Sequence, residues 1–263
     1  MDLTPDGPLS RPVSRRSIAN VRPQQNQRAM KRIHTPSVGT SSWRALLADP
    51  DLHWKRGASA MELAVSWELA ARSDRGLPRE VAEVFDLHVA TRGAVLLFAV
   101  PEHRVALPGG RRASQTDLWG VIRTSGGWAS LAVEGKAGEP FGPTVSEWLQ
   151  DASSGKQERL DALCQTLRVE RDAVGALRYQ LFHRAASAIL EADRIGADTA
   201  VLLVQNFRPA TTGWADFERF VAQFGTVACR GGVCESGAAG DGRLLFAWVD
   251  SPLASDSQLA LAV

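Results

Sequence analysis

From Trp43 onward the apolar positions of this chain fall into runs of two periods. ASAMELAVSWELAAR, Ala58–Arg72, sets Leu63, Ala64, Trp67 and Ala71 on one stripe of a helix, with Ser59 as the expected N-cap and Glu62 three residues on as its reciprocal partner. GAVLLFAV, Gly93–Val100, is a near-continuous apolar run closed by Pro101, the pattern of a strand buried on both faces. QTDLWGVIRTSGGWASLAVEGK, Gln115–Lys136, alternates around a Thr-Ser-Gly-Gly turn and predicts a β-hairpin. Thr144–Gln150 and Gln157–Leu167 predict short helices, and Asp172–Ile195 a long one stopped by Gly196. Thr199–Phe207 reads as a buried strand, Trp214–Phe224 as a helix and Arg243–Asp250 as a last strand.

The order is therefore helix, three strands, helices, strand, helix, strand. It predicts an α/β fold in which an antiparallel hairpin lies beside strands reached by helical crossovers, with helices on both faces of a mixed sheet.

Charge divides the chain. Residues 1–42 hold seven Lys and Arg against two acids, a net of +5, which leaves −4 for the remainder of a chain whose total is +1. That Pro-, Ser- and Gln-rich segment has too little apolar surface to order itself, so 1–42 is expected to be a disordered basic tail and 43–263 a single α/β domain. No run is long and apolar enough to span a bilayer, and the first residues lack a secretory signal, so no membrane partner and a cytoplasmic location are expected. Three cysteines do not make a disulfide framework, and the Cys229–Cys234 pair supplies two of the four ligands that zinc requires. The five histidines are scattered, and the motifs of P-loop, serine-hydrolase, zincin and dinucleotide sites are missing.

The chemistry concentrates in the hairpin. Whether its loop has two residues or four, counting outward sets Asp117 across from Glu134, with Lys136 two residues further on the same face. Leu118, Gly120, Ile122, Ala129, Leu131 and Val133 then form the apolar face. Two carboxylates directly opposite repel, so a positive partner is expected between them. Lys136 alone fits as an ion pair on a solvated sheet face, and so does a divalent cation held by the two acids, with Lys136 beside its water. A bulge in either strand would break the parity. Trp119 shares that face and is expected to pack there.

Asp117, sixteen residues, then Glu134-Gly135-Lys136 resembles the D…E-x-K signature of the PD-(D/E)XK nuclease superfamily, and the element order resembles its αβββαβ core. HWKRGASAMELAVSWE, PGGRRASQTDLWG, AVEGKAGEPFGPTVSEWL and LRYQLFHRAASAILEA further resemble an uncharacterised bacterial family linked to that superfamily, over roughly Trp43 to Val249. The resemblance implies a restriction-endonuclease-like sheet and a Mg²⁺ (or Mn²⁺) site made by Asp117, Glu134 and the Gly135 carbonyl, with Lys136 orienting the attacking water. It also implies a helper acid from the first helix, Glu68 or Glu62, and a polar pair on the helix after the motif, Gln180 and His183. His183 stands where many members carry an aromatic. Gln180, His183 and Arg184 share one helix face. The implied activity is hydrolysis of phosphodiester bonds, DNA foremost, with Arg104, Arg111 and Arg112 as backbone contacts. A catalytically inactive nuclease-fold interaction module is the alternative, and a phosphate-processing metal hydrolase of another class is a third.

Overall fold

The computed structural model describes residues 32–33, 37–208, 213–237 and 242–262. Helices α1 (Thr40–Arg44), α2 (Pro50–His53), α3 (Ser59–Ala70) and α4 (Arg79–Asp86) precede strands β1 (Val95–Val105), β2 (Ser114–Thr124) and β3 (Gly127–Lys136). After these come α5 (Val145–Trp148), α6 (Ser154–Leu167), a 3-10 turn (Arg171–Ala173), α7 (Tyr179–Ile195), β4 (Thr199–Asn206), α8 (Trp214–Ala222), β5 (Gly232–Glu235), β6 (Arg243–Asp250) and α9 (Asp256–Leu261).

The six strands form one mixed sheet in the order β1-β2-β3-β4-β6-β5. β1, β2 and β3 are a meander of antiparallel neighbours, β4 joins β3 in parallel after the α5–α7 crossover, and β6 joins β4 in parallel after α8. β4 and β6 are buried along almost their whole length, as central strands between two helical layers must be. On one face Leu63, Trp67, Val81 and Phe85 of α3 and α4 pack against Leu118, Leu131, Val133 and Leu203. On the other, Leu181, Phe182, Ala185 and Ala188 of α7 and Phe217 and Phe220 of α8 pack against Ala132, Leu202, Val204 and Phe246. The alanines let the α7 backbone lie close to the sheet.

The sequence reading and the fold differ at definite points. β1 is an edge strand that runs past Pro101 to Val105, which an edge tolerates because one row of its backbone groups needs no ladder partner. The segment 172–195 is not one helix: the 3-10 turn ends near Gly175, and α7 begins at Tyr179. Its stop is as expected, with Gly196 in the left-handed region at φ 65°. Ser59 is not the N-cap of α3; Ala58 is, and Glu62 instead accepts the Gly57 and Ala254 amides, both at 2.7 Å.

Most of the expected 1–42 tail lies outside the described residues. Its described part is not solvated: buried Ile33 bridges Ala99 on the edge of β1, and the Arg32 guanidinium donates to the carbonyls of Ala71, Ser73 and Asp74 beyond the end of α3. No helix among the described residues is long and apolar enough to cross a membrane.

Candidate active site

The hairpin turn has two residues, Ser125 and Gly126, with Thr124 paired to Gly127 and the register held out to Leu118 and Val133. One step further, Asp117 and Glu134 lie across from each other. The parity between β2 and β3 holds, and the Gly135 amide closes the step by donating to Asp117 Oδ2 at 2.9 Å.

Glu134 is 1% exposed and both its oxygens are engaged. Oε1 accepts from Lys136 Nζ at 2.8 Å and from Gln180 Nε2 at 2.5 Å, and Oε2 accepts from Arg184 Nε at 2.7 Å. Lys136 Nζ also donates to Gln180 Oε1 at 3.0 Å and sits 4.8 Å above the centre of the Phe141 ring. Gln180 thus grips both members of the E-x-K motif from the first turn of α7. Arg184, one turn on, spans the gap to the second acid, with Nη2 at 3.7 Å from Asp117 Oδ1 and Nη1 donating to Ser114 Oγ at 3.1 Å. The positive partner that two opposed carboxylates require is supplied by the chain twice, by Lys136 and by Arg184.

His183 shares the α7 face but not the acids: its Nδ1 meets Ser114 Oγ at 2.8 Å. Burial, with the Arg184 charge beside it, holds its imidazole well below the usual pKa and keeps it neutral. Trp119 packs, with its indole N–H on Ser130 Oγ at 3.0 Å and its ring stacked on His103.

A third carboxylate, which the sequence reading missed, faces the same cluster from β1. The β1–β2 register brings Glu102 opposite Asp117, where Glu102 leaves the ladder with a left-handed φ of 51°. Leu118 faces the α3 layer while Ser114, of the same parity, meets α7, so the pleat of the pair inverts between them, at Glu102 and Asp117. Burial pushes Glu102 up to about 7, against a hydrogen bond from Gln115 Nε2 at 2.6 Å. Burial, and then the Glu134 charge, also raise Asp117 well above an ordinary aspartate. Glu134 goes the other way: burial alone would raise it, but the Lys136 and Arg184 charges and hydrogen bonds hold it near 2.

The helper acid from the first helix does not reach the site. Glu68 accepts from Ser37 Oγ and from Trp43 Nε1, the latter at 2.9 Å, and Glu62 is spent on the two amides named above. α3 packs on the other face of the sheet, and what it brings near Gly135 is the Leu63 side chain and the Ser59 carbonyl rather than an acid. Among the described residues, no group of three or more His, Cys, Asp or Glu side chains is placed to hold a metal ion. The donors fit a hard divalent ion in kind, with Asp117 Oδ1 accepting no hydrogen bond from the described residues and its side chain a quarter exposed, but Arg184 stands between the two acids.

The arginines expected to face a substrate are divided. Arg104, Arg111 and Arg112 are exposed. The loop carrying the last two is fastened to α6 by Arg159, whose guanidinium donates to the carbonyls of Leu107, Pro108 and Gly110. Gly109, at φ 74°, is required there, since a Cβ would lie 2.3 Å from the Arg159 amide and the Gly155 carbonyl. Arg112 stands two residues before Ser114, so this fixed loop flanks the cluster. A cavity of about 670 Å³ lies elsewhere, on the α3 side, lined by Ser66, Arg75, Phe207 and Ser251 among others.

No curated protein and no solved structure matches the chain. A family model does, over residues 36–253, from just before α1 to just after β6, and it is described as a domain of unknown function; the chain belongs to that family, DUF6946.

Proposed function

We propose that this protein is a metal-dependent phosphodiester hydrolase of the PD-(D/E)XK type, with a restriction-endonuclease-like αβββαβ core, acting on nucleic acid and on DNA foremost. The observation that carries the reading is the convergence of Glu134 and Lys136 under Gln180, with Asp117 across the hairpin joined to them through Arg184. A buried acid pair and lysine with no function would be replaced by apolar residues at little or no cost in stability.

In this reading Asp117, Glu134 and the Gly135 carbonyl would hold Mg²⁺ or Mn²⁺, which when bound supplies a water of lowered pKa and neutralises charge on the scissile phosphate. Lys136 orients that water and stabilises developing negative charge. Gln180 fixes the Lys136 ammonium and the Glu134 carboxylate relative to each other, at 3.0 and 2.5 Å. His183, held neutral by burial, holds Ser114. Arg111 and Arg112, on their fastened loop, contact the backbone on one side of the scissile bond.

The second reading, a non-catalytic interaction module, draws on Arg184, which closes the acid pair as a structural ion cluster. Cleavage of plasmid and single-stranded DNA with Mn²⁺ separates the two. Nicking by the full chain that Lys136→Ala abolishes supports the hydrolase. A folded wild-type protein that cuts neither DNA nor RNA supports the module.

A further inference from the structure

We propose that Arg184 is a resident counter-ion that excludes divalent metal from the free protein, and that the phosphodiester of the substrate draws it off the acids so that metal and substrate bind together. This rests on the hydrolase reading of the site.

Four observations carry it. The guanidinium lies against both acids at once, 2.7 Å from Glu134 Oε2 and 3.7 Å from Asp117 Oδ1. Among the described residues no other group satisfies these two carboxylate oxygens, since Lys136 and Gln180 hold Glu134 Oε1 and the Gly135 amide holds Asp117 Oδ2. An ion bridging the acids would have to use this gap, where the repulsion of a cation within 4 Å and the loss of its hydrogen bond oppose entry. Second, Arg184 is 6% exposed and comes from α7, so it enters from the helix layer and can withdraw without unpairing the hairpin.

Third, its hold is uneven. The Asp117 contact is too long for a hydrogen bond, so one edge of the planar fork is only loosely engaged. Fourth, that loose edge points to the more exposed acid of the pair, whose side chain is a quarter exposed against 2% for Glu134. A phosphate arriving there offers two oxygens in the spacing a guanidinium fork prefers. Once Arg184 turns to it, Oδ1 and Oε2 are left facing each other and metal affinity rises. By linkage, metal must then raise phosphate affinity by the same factor.

The test is Mn²⁺ binding to the full chain by calorimetry and by the electron-spin signal of free Mn²⁺, with dimethyl phosphate as the phosphodiester probe. Arg184→Gln is expected to bind Mn²⁺ at least about tenfold tighter than wild type without the probe, because it loses the charge and keeps a donor near Ser114. In wild type, dimethyl phosphate is expected to tighten Mn²⁺ several-fold, and in Arg184→Gln it is expected to have no effect. Arg184→Lys guards against a variant that does not fold. It keeps the buried charge and lacks the fork, so it is expected to exclude Mn²⁺ as wild type does but without the response to phosphate.

The proposal is overturned if folded Arg184→Gln binds Mn²⁺ no tighter than wild type, or if Arg184→Lys retains the phosphate response. Tight Mn²⁺ binding by Arg184→Gln with no cleavage of DNA or RNA by wild type would leave the counter-ion role standing and remove the hydrolase. Cleavage by wild type with unaltered Mn²⁺ affinity in Arg184→Gln would do the reverse.

Discussion

Asp117 and Glu134 stand across one hairpin, but the two acids carry different burdens. Glu134 is the node of the cluster, and Glu134→Gln leaves Lys136 and Arg184 buried with too little negative charge, which costs about 3–5 kcal/mol by urea denaturation. Asp117→Asn keeps an oxygen for the Gly135 amide and removes a charge that burial already penalises, so its cost is expected to be under about 1 kcal/mol while metal binding is lost. The acids also oppose each other with pH. Glu134, held near 2, contributes stability above its ordinary value of 4.5 that is lost as pH falls toward 2. Glu102, raised to about 7, does the opposite: the folded state keeps a proton that the unfolded state releases, so stability falls as pH rises from 4.5 to 7. Asp117, also raised, acts in the same direction and the buried neutral His183 in the opposite one, so Glu102 is read by difference: the pH slope of the unfolding free energy across that window is expected to be less negative in Glu102→Gln than in wild type. A slope unaltered by the substitution would remove Glu102 from the account.

At the scale of elements, the hairpin was the most legible part of the chain. A two-residue turn fixes register, so counting sets Asp117 across from Glu134 and Lys136 on the face of Glu134, although the face Asp117 presents also depends on the pleat inversion there. The helical spacing of Gln180, His183 and Arg184 was equally visible, yet it could not say which of the three reaches the acids. That depends on how closely α7 approaches β3, and the answer is Gln180 and Arg184, with His183 turned to Ser114. Glu102 was hidden because one left-handed residue inverts the pleat of β1, which alternation cannot reveal. The pattern of α3 predicted a helix but not which face of the sheet it covers, and so Glu68 was misplaced. α4 and β5 escaped notice, being eight and four residues long and too short for a period to show. The loop before β2 tests the packing argument: Gly109→Ala forces a Cβ into the α6 backbone and is expected to cost about 1–3 kcal/mol, read by thermal denaturation.

Across the whole molecule, the layered sheet sets Glu134 and Lys136 under α7, while the α3 face carries an apolar core and a separate buried polar group, Gln205 with Trp67, Ser66 and Ser251. The −4 borne by residues outside 1–42 argues against broad non-specific attraction to DNA, so any affinity must come from local groups such as Arg111 and Arg112. Replacing both with Ala is expected to weaken binding of a labelled oligonucleotide in EDTA and to reduce the salt slope by about 2, without altering Mn²⁺ binding. An unaltered slope would place the substrate elsewhere. If the acid pair serves metal-dependent phosphodiester hydrolysis, strand cleavage must distinguish the full chain from Asp117→Asn, the substitution expected to leave the fold intact. Breaks in DNA are expected that require Mg²⁺ or Mn²⁺, stop on chelation, and fall at least about 100-fold in Asp117→Asn. Equal cleavage by the two proteins, or none from a folded wild type on DNA and RNA alike, would contradict the hydrolytic role.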